Sequence, residues 1–144
     1  MQDEGIGIRL ARELSNRTLP PGVEVLELGT GGFAVVHVLA TLREAVFVDC
    51  ARMKDRPAGH IERFDPDSVR SRKPALRMSL HEGDLLHWID LSRRLGECPA
   101  RIAVFGIVPG RIEPGRELSP ELEKRIPEYV ETIIGEIREG SARE

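Results

Sequence analysis

The sequence predicts an α/β fold built on a parallel or mostly parallel twisted sheet. Strand-like and helix-like segments alternate along the chain, the order that builds βαβ units. Two segments, Ala45-Val46-Phe47-Val48 and Ile102-Ala103-Val104-Phe105-Gly106-Ile107-Val108, are unbroken apolar runs, as strands covered on both faces require. The helical segments around them carry their apolar residues at three- and four-residue spacing.

Taken in order, the first element is a helix from about Gly5 to Asn16. Ile6, Leu10 and Leu14 form its apolar stripe, and Arg9, Arg12 and Glu13 lie on the other face. Pro20-Pro21-Gly22 forces a turn. Val23 to Leu28 partly alternates and reads as a strand. The flexible loop Gly29-Thr30-Gly31-Gly32 leads into a short helix from Phe33 to about Leu42. The apolar strand Ala45–Val48 then ends abruptly at Asp49. After the turn Pro57-Ala58-Gly59, a further strand is expected from His60 to Phe64. Leu85, Leu86, Ile89 and Leu95 give an amphipathic helix over Glu82 to Leu95, and Arg101–Val108 is the second buried strand. The last helix starts at Ser119, whose hydroxyl is suited to cap it, with Pro120 at its first position. It is expected to run to about Glu139, before Gly140, with a kink or break at Pro127.

The 144 residues suffice for one domain, and no linker or repeat divides them, so residues 1–144 are read as one unit. The hydrophobic fraction of 40% and charged fraction of 31% are those of a water-soluble globular chain. No apolar run approaches the ~20 residues that span a bilayer. The acidic opening Met1-Gln2-Asp3-Glu4 lacks the order of a signal peptide, so a cytoplasmic location is expected. The net charge of -3 gives no general attraction to nucleic acid or to an anionic membrane. Its local exception, Arg70 to Arg77, has no aromatic residue on which bases stack and reads as a solvated loop. Cys50 and Cys98 are too few for a disulfide framework and not spaced as a zinc pair, and are taken as free thiols.

Ligands of open α/β sheets bind at the carboxyl ends of the strands. Asp49 and the Gly29–Gly32 loop fall at such ends. His81 stands just before a helix, and Glu4 precedes the first helix. Two carboxylates and an imidazole form an oxygen, oxygen, nitrogen set suited to a borderline divalent ion such as nickel or zinc. Each also has a structural reading. Glu4 can serve the helix dipole, Asp49 can form a turn, and His81 can be a solvated helix-start residue. Cys50 beside Asp49 offers a thiol nucleophile, against the commoner reading of a small buried core residue. Gly29–Gly32 lacks both the Walker lysine and the dinucleotide spacing, so it is a weak phosphate cradle. Asp84, one turn from His81, either orients the imidazole or is an exposed helix acid. His37, His60 and His87 have no partner suggested by the sequence.

Five segments in order resemble the hydrogenase maturation proteases. Asp3-Glu4-Gly5-Ile6-Gly7 resembles their acidic loop entering the first helix. Leu28-Gly29-Thr30-Gly31-Gly32 is similar to their Gly-Gly-Thr-x-Gly loop, with Leu28 in place of the first glycine. Val48-Asp49-Cys50-Ala51 resembles the strand end with their central aspartate, and Ser79-Leu80-His81-Glu82 the segment with their histidine. Phe105-Gly106-Ile107-Val108-Pro109, with Leu118-Ser119-Pro120, resembles their last strand, turn and helix start.

The resemblance implies a three-layer α/β/α sandwich and an aspartic-type endopeptidase. Its reaction would remove the C-terminal extension of a [NiFe]-hydrogenase large-subunit precursor. It implies that Glu4, Asp49 and His81 meet the nickel already seated in that substrate, so that the cut follows metal insertion. Family members open with a hydrophobic strand and a Gly-Asn loop, and this sequence begins at Met1 with neither. The sheet is accordingly expected to lack that first strand. The alternative is a truncated, non-catalytic relative that binds the precursor or an accessory protein.

Overall fold

The computed structural model describes residues 5–27, 32–53, 55–66, 78–80, 85–111, 114 and 118–142. Helices α1 (Ile6–Ser15) and α2 (Gly32–Leu39) precede strand β1 (Glu44–Met53). Then come β2 (Ile61–Phe64), β3 (Met78–Leu80), α3 (Leu85–Arg94), β4 (Arg101–Ile107), α4 (Pro120–Glu123) and α5 (Ile126–Ala142). Among the described residues the strands form one sheet in the order β2-β4-β1-β3.

The sheet is mixed. Its central ladder, β1 with β4, is parallel and runs from the pair Glu44–Arg101 to the pair Cys50–Ile107. β2 joins the other edge of β4 antiparallel, and β3 joins the far end of β1 antiparallel, with Leu80 opposite Ala51. The predicted parallel arrangement thus holds at the centre and reverses at both flanks.

Helices cover both faces, giving three layers. Alternation along the strands divides the core. Phe105 and Ile107 of β4 and Cys50 of β1 pack under α1 and α5, with Ile6, Leu10, Tyr129, Val130 and Ile133. Ile102 and Val104 of β4 and Ala51 of β1 pack on the opposite face under α2 and α3, with Val35, Leu39 and Ile89. Ion pairs strap α5 at its sides. Arg17 meets Glu131 at 3.2 Å, and Arg63 of β2 meets Glu136 at 2.6 Å. The Arg17–Glu131 pair is exposed on both sides and contributes little energy, whereas the Glu136 side chain is only 10% exposed.

Several expectations are revised. β4 is buried from Ile102 to Ile107, and Val108 after it, as the apolar run requires, but Ala45–Val48 of β1 is only half-buried. β4 has a strand on each side. β1 has β4 on one side and, among the described residues, a ladder partner on the other only at Ala51–Met53. β1 also does not stop at Asp49, because pairing with β3 carries it to Met53. Val23–Glu27 forms no strand although its residue types suit one, since a strand needs a neighbour to satisfy its amides and none lies beside it among the described residues. α2 ends at Leu39, and hydrogen-bonded turns carry the chain on to Leu42.

The last helix is broken before Pro127 into α4 and α5, as the proline demands. Ser119 starts α4 through its backbone carbonyl, which accepts from Leu122 and Glu123, and its hydroxyl makes no cap bond. Gly140 does not end α5. The helix runs past it to Ala142, and the Glu44 carboxylate occupies the space a β-carbon at position 140 would need, while Arg101 binds the same carboxylate at 2.7 Å. No helix of the described residues is long and apolar enough to cross a membrane.

Candidate active site

Asp49 lies in the second-last pair of the parallel ladder, opposite Gly106. It is therefore inside β1 yet at the carboxyl end of the parallel part of the sheet, where α/β ligand sites form. Its parity with Phe47 and Ala51 turns it toward the α2 and α3 face. The Cys50 amide donates to Asp49 Oδ1 at 2.8 Å, which fixes the orientation of the carboxylate.

Two other stretches of backbone meet β1 at this level. A β-carbon on Gly7 would lie 3.2 Å from the Val48 carbonyl oxygen, so the absence of a side chain lets the first turn of α1 press on the residue before Asp49. Leu80, the last residue of β3, pairs with Ala51, two residues after Asp49. The helix that follows Glu4 and the strand that precedes His81 thus both reach Val48–Ala51. Glu4 and His81 themselves lie outside the described residues, as do Gly29–Gly31, Asp84 and the Arg70–Arg77 segment. Asp49 is the described member of the expected ligand set. No three His, Cys, Asp or Glu side chains converge among the described residues.

Cys50 is 4% exposed, and its side chain belongs to the core under α1 and α5, on the opposite face from Asp49. A thiol in that position serves packing and does not reach a substrate beside Asp49. Among the histidines, His60 does have a partner: its Nε2 lies 2.9 Å from Glu62 Oε1, with Arg56 Nε 3.6 Å from the same oxygen. The i, i+2 spacing on a predicted strand was the available signal, since alternate residues share a face. Strand pairing sets Glu62, Gly106 and Asp49 in one row across the sheet.

A second arrangement at this end has no local signature among the residues that form it. The Gly59 carbonyl accepts from Tyr129 Oη at 2.6 Å and from Arg125 Nη1 at 2.5 Å. Gly59 has a φ of 90°, a value glycine adopts freely. The amide of Gly59 donates to the Val108 carbonyl at 2.8 Å, and the Val108 amide donates to the His60 carbonyl at 2.9 Å. The connection between β1 and β2 is thereby fixed against both β4 and α5.

A three-layer α/β/α chain with a carboxylate at the carboxyl end of its central parallel ladder belongs to the class of α/β proteins whose ligand site lies at the strand ends. Residues 8–136 match the family model described as hydrogenase maturation protease. The hydrogenase 2 maturation protease of Escherichia coli is 29% identical over 143 residues, which span 96% of this chain and 85% of that protein. Protein FrxA of Pyrococcus furiosus is 31% identical over 145 residues, 97% of this chain and 99% of that one. Among solved structures, the hydrogenase maturating endopeptidase HybD from E. coli superposes with a TM-score of 0.81 at 27% identity, covering 97% of this chain and 86% of that one. The [NiFe] hydrogenase maturation protease HybD from Thermococcus kodakarensis gives a TM-score of 0.72 at 25% identity, covering 95% and 91%.

The chain belongs to the hydrogenase maturation protease family. It is a peptidase of hydrogenase maturation, and hence a hydrolase.

Proposed function

We propose that this peptidase removes the C-terminal extension of a [NiFe]-hydrogenase large-subunit precursor in the cytoplasm, and that it recognises the nickel the precursor already carries. The observation that supports this reading is the meeting of α1, β1 and β3 at Val48–Ala51, with Asp49 at its centre. Glu4, Asp49 and His81 would supply two oxygens and a nitrogen to the substrate's metal, a donor set matched to nickel. Three protein ligands leave room for the client's own thiolates, so the site is complete only when a metal-loaded client is docked. Sensing and cutting are then one event.

The reaction adds water to the scissile carbonyl carbon and breaks its bond to nitrogen. The leaving amine takes a proton. A carboxylate held on a strand, as Asp49 is, can serve the metal or the proton of the attacking water, and in the second role it returns that proton to the amine, a contribution typically of ~10²–10⁴-fold. Strand β1 keeps that carboxylate in place, since its backbone is tied to β4 through the whole parallel ladder.

The test uses nickel-loaded and nickel-free precursor, with the unaltered chain and with Glu4→Ala, Asp49→Ala and His81→Ala. Tail removal is expected only from loaded precursor, and each substitution should slow it at least about 100-fold with little change in melting temperature. Equal cleavage of both precursor forms would refute metal recognition. Near-normal cleavage by any two variants would remove the residue assignment.

A further inference from the structure

We infer that Tyr129 and Arg125 are positioning residues of this peptidase, holding the β1–β2 connection as a fixed wall beside Asp49 along which the client tail is aligned. The inference rests on the proposed function for the identity of the client, and on contacts of its own for the wall.

Tyr129 is fully buried, and its hydroxyl meets its hydrogen-bonding need at the Gly59 carbonyl. Arg125 adds a charged donor to the same oxygen. Glu128 binds the Arg125 guanidinium from behind, and the Tyr129 ring lies 5.4 Å beneath it, so the donor is held before it meets the loop. A side chain at position 59 would come within 3.1 Å of Arg125 Nη1. The turn is thus shaped to admit the guanidinium, and two donors four residues apart, Arg125 just before α5 and Tyr129 in its first turn, act at one acceptor.

The wall leads into β2, which shares a row of the sheet with Asp49. Ile61, Ile107 and Cys50 lie in one row across the sheet, with Glu62, Gly106 and Asp49 in the next. Strands lie ~4.8 Å apart, so Glu62 on β2 is about 10 Å from Asp49 on β1. By parity with Phe64, His60 and Glu62 turn to the same face as Asp49. They remain about 30% exposed (30% and 31%) and form a polar pair at the rim. An extended peptide rises ~3.3 Å per residue, so about three residues of tail bridge the two positions. A chain cut beside Asp49 and running toward β2 has its flanking residues over His60–Glu62, whose backbone is set by the bonds of Gly59 and Val108.

A wall that must be docked for binding lowers apparent affinity in proportion to the docked fraction. Tyr129→Phe removes one donor and keeps the ring. Arg125→Gln removes the charged donor. Both singly and together, they are to be compared with Arg17→Gln, which breaks an ion pair elsewhere on α5, by steady-state cleavage of nickel-loaded precursor. The double variant should raise KM roughly three- to tenfold with kcat within about twofold, while Arg17→Gln leaves KM unchanged. A double variant that melts lower but keeps its KM would mean that the grip is structural only, overturning the inference. Amide hydrogen exchange at residues 55–60 reads the grip without any cleavage. It should quicken in the double variant while exchange in β4 holds, and unchanged exchange also overturns the inference. If the unaltered chain cuts no precursor, the proposed function fails and the exchange comparison alone decides the wall.

Discussion

Gly106→Ala tests how tightly the sheet is packed around Asp49. The residue faces α2 and α3 in the same row as Asp49. An added β-carbon would lie 2.7 Å from Ala51 Cβ and 3.1 Å from both Met53 Cε and Phe64 Cζ. Unstrained carbon contacts need roughly 3.5–4.0 Å. The Met53 methyl ends a flexible side chain and can turn away. Ala51 has no rotamer to change, so β1 must shift by about 1 Å. Overpacking of this kind costs ~1–3 kcal/mol, or roughly 3–9 °C of melting temperature for a domain of this size. Ala51 is two residues from Asp49 on one strand, so the same shift displaces the carboxylate. A misplacement of ~1 Å at a reacting centre can cost about 100-fold in rate. Thermal melting and precursor cleavage should therefore both fall, and cleavage more than the stability loss explains. The control is Gly135→Ala, on exposed helix surface with nothing within 4 Å, which should stabilise α5 by ~0.5–1 kcal/mol. A Gly106→Ala protein that melts within about 1 °C of the unaltered chain and cleaves normally would refute this account.

Cys50→Ala should leave precursor cleavage nearly intact and cost about 1 kcal/mol from a slightly thinned core. Complete loss of cleavage with a normal melt would restore the thiol mechanism. Hydrogen bonding to Arg125 lowers the Glu128 carboxyl below its ordinary range, so its ionised form is favoured in the folded chain. That stability is present above the unfolded carboxylate value of about 4.3 and is lost as pH falls through the lowered folded value. Because the pair is largely exposed, Glu128→Gln should lower stability at neutral pH by only a few tenths of a kcal/mol, as is usual for surface pairs. Melts across pH should show that difference vanish in acid, and a difference that persists there would count against the ion pair as its source.

The clearest parts of the fold were written in local chemistry. The run Ile102–Val108 requires burial on both faces wherever it is placed, and β4 has it. The spacing of Ile6, Leu10 and Leu14 requires a helix with one buried stripe, and α1 is that helix. Pro127 lacks an amide donor, so the break between α4 and α5 was also legible. Asp49 and the five ordered segments pointed to the family because they preserve its loops in sequence order.

Other features depend on partners distant in the chain. Strand propensity in Val23–Glu27 gains nothing where no ladder partner lies among the described residues, whereas the less apolar Ala51–Met53 becomes strand because β3 pairs with it. The space a side chain at Gly140 would need is filled by Glu44, far away in sequence. The reversal of β2 and β3, and the meeting of Tyr129 and Arg125 with Gly59, likewise join positions that no local pattern connects. Periodicity and apolar runs state which faces must be buried. Which backbone groups satisfy one another is decided only when the layers close, because a hydrogen bond depends on position in space and not on separation along the chain.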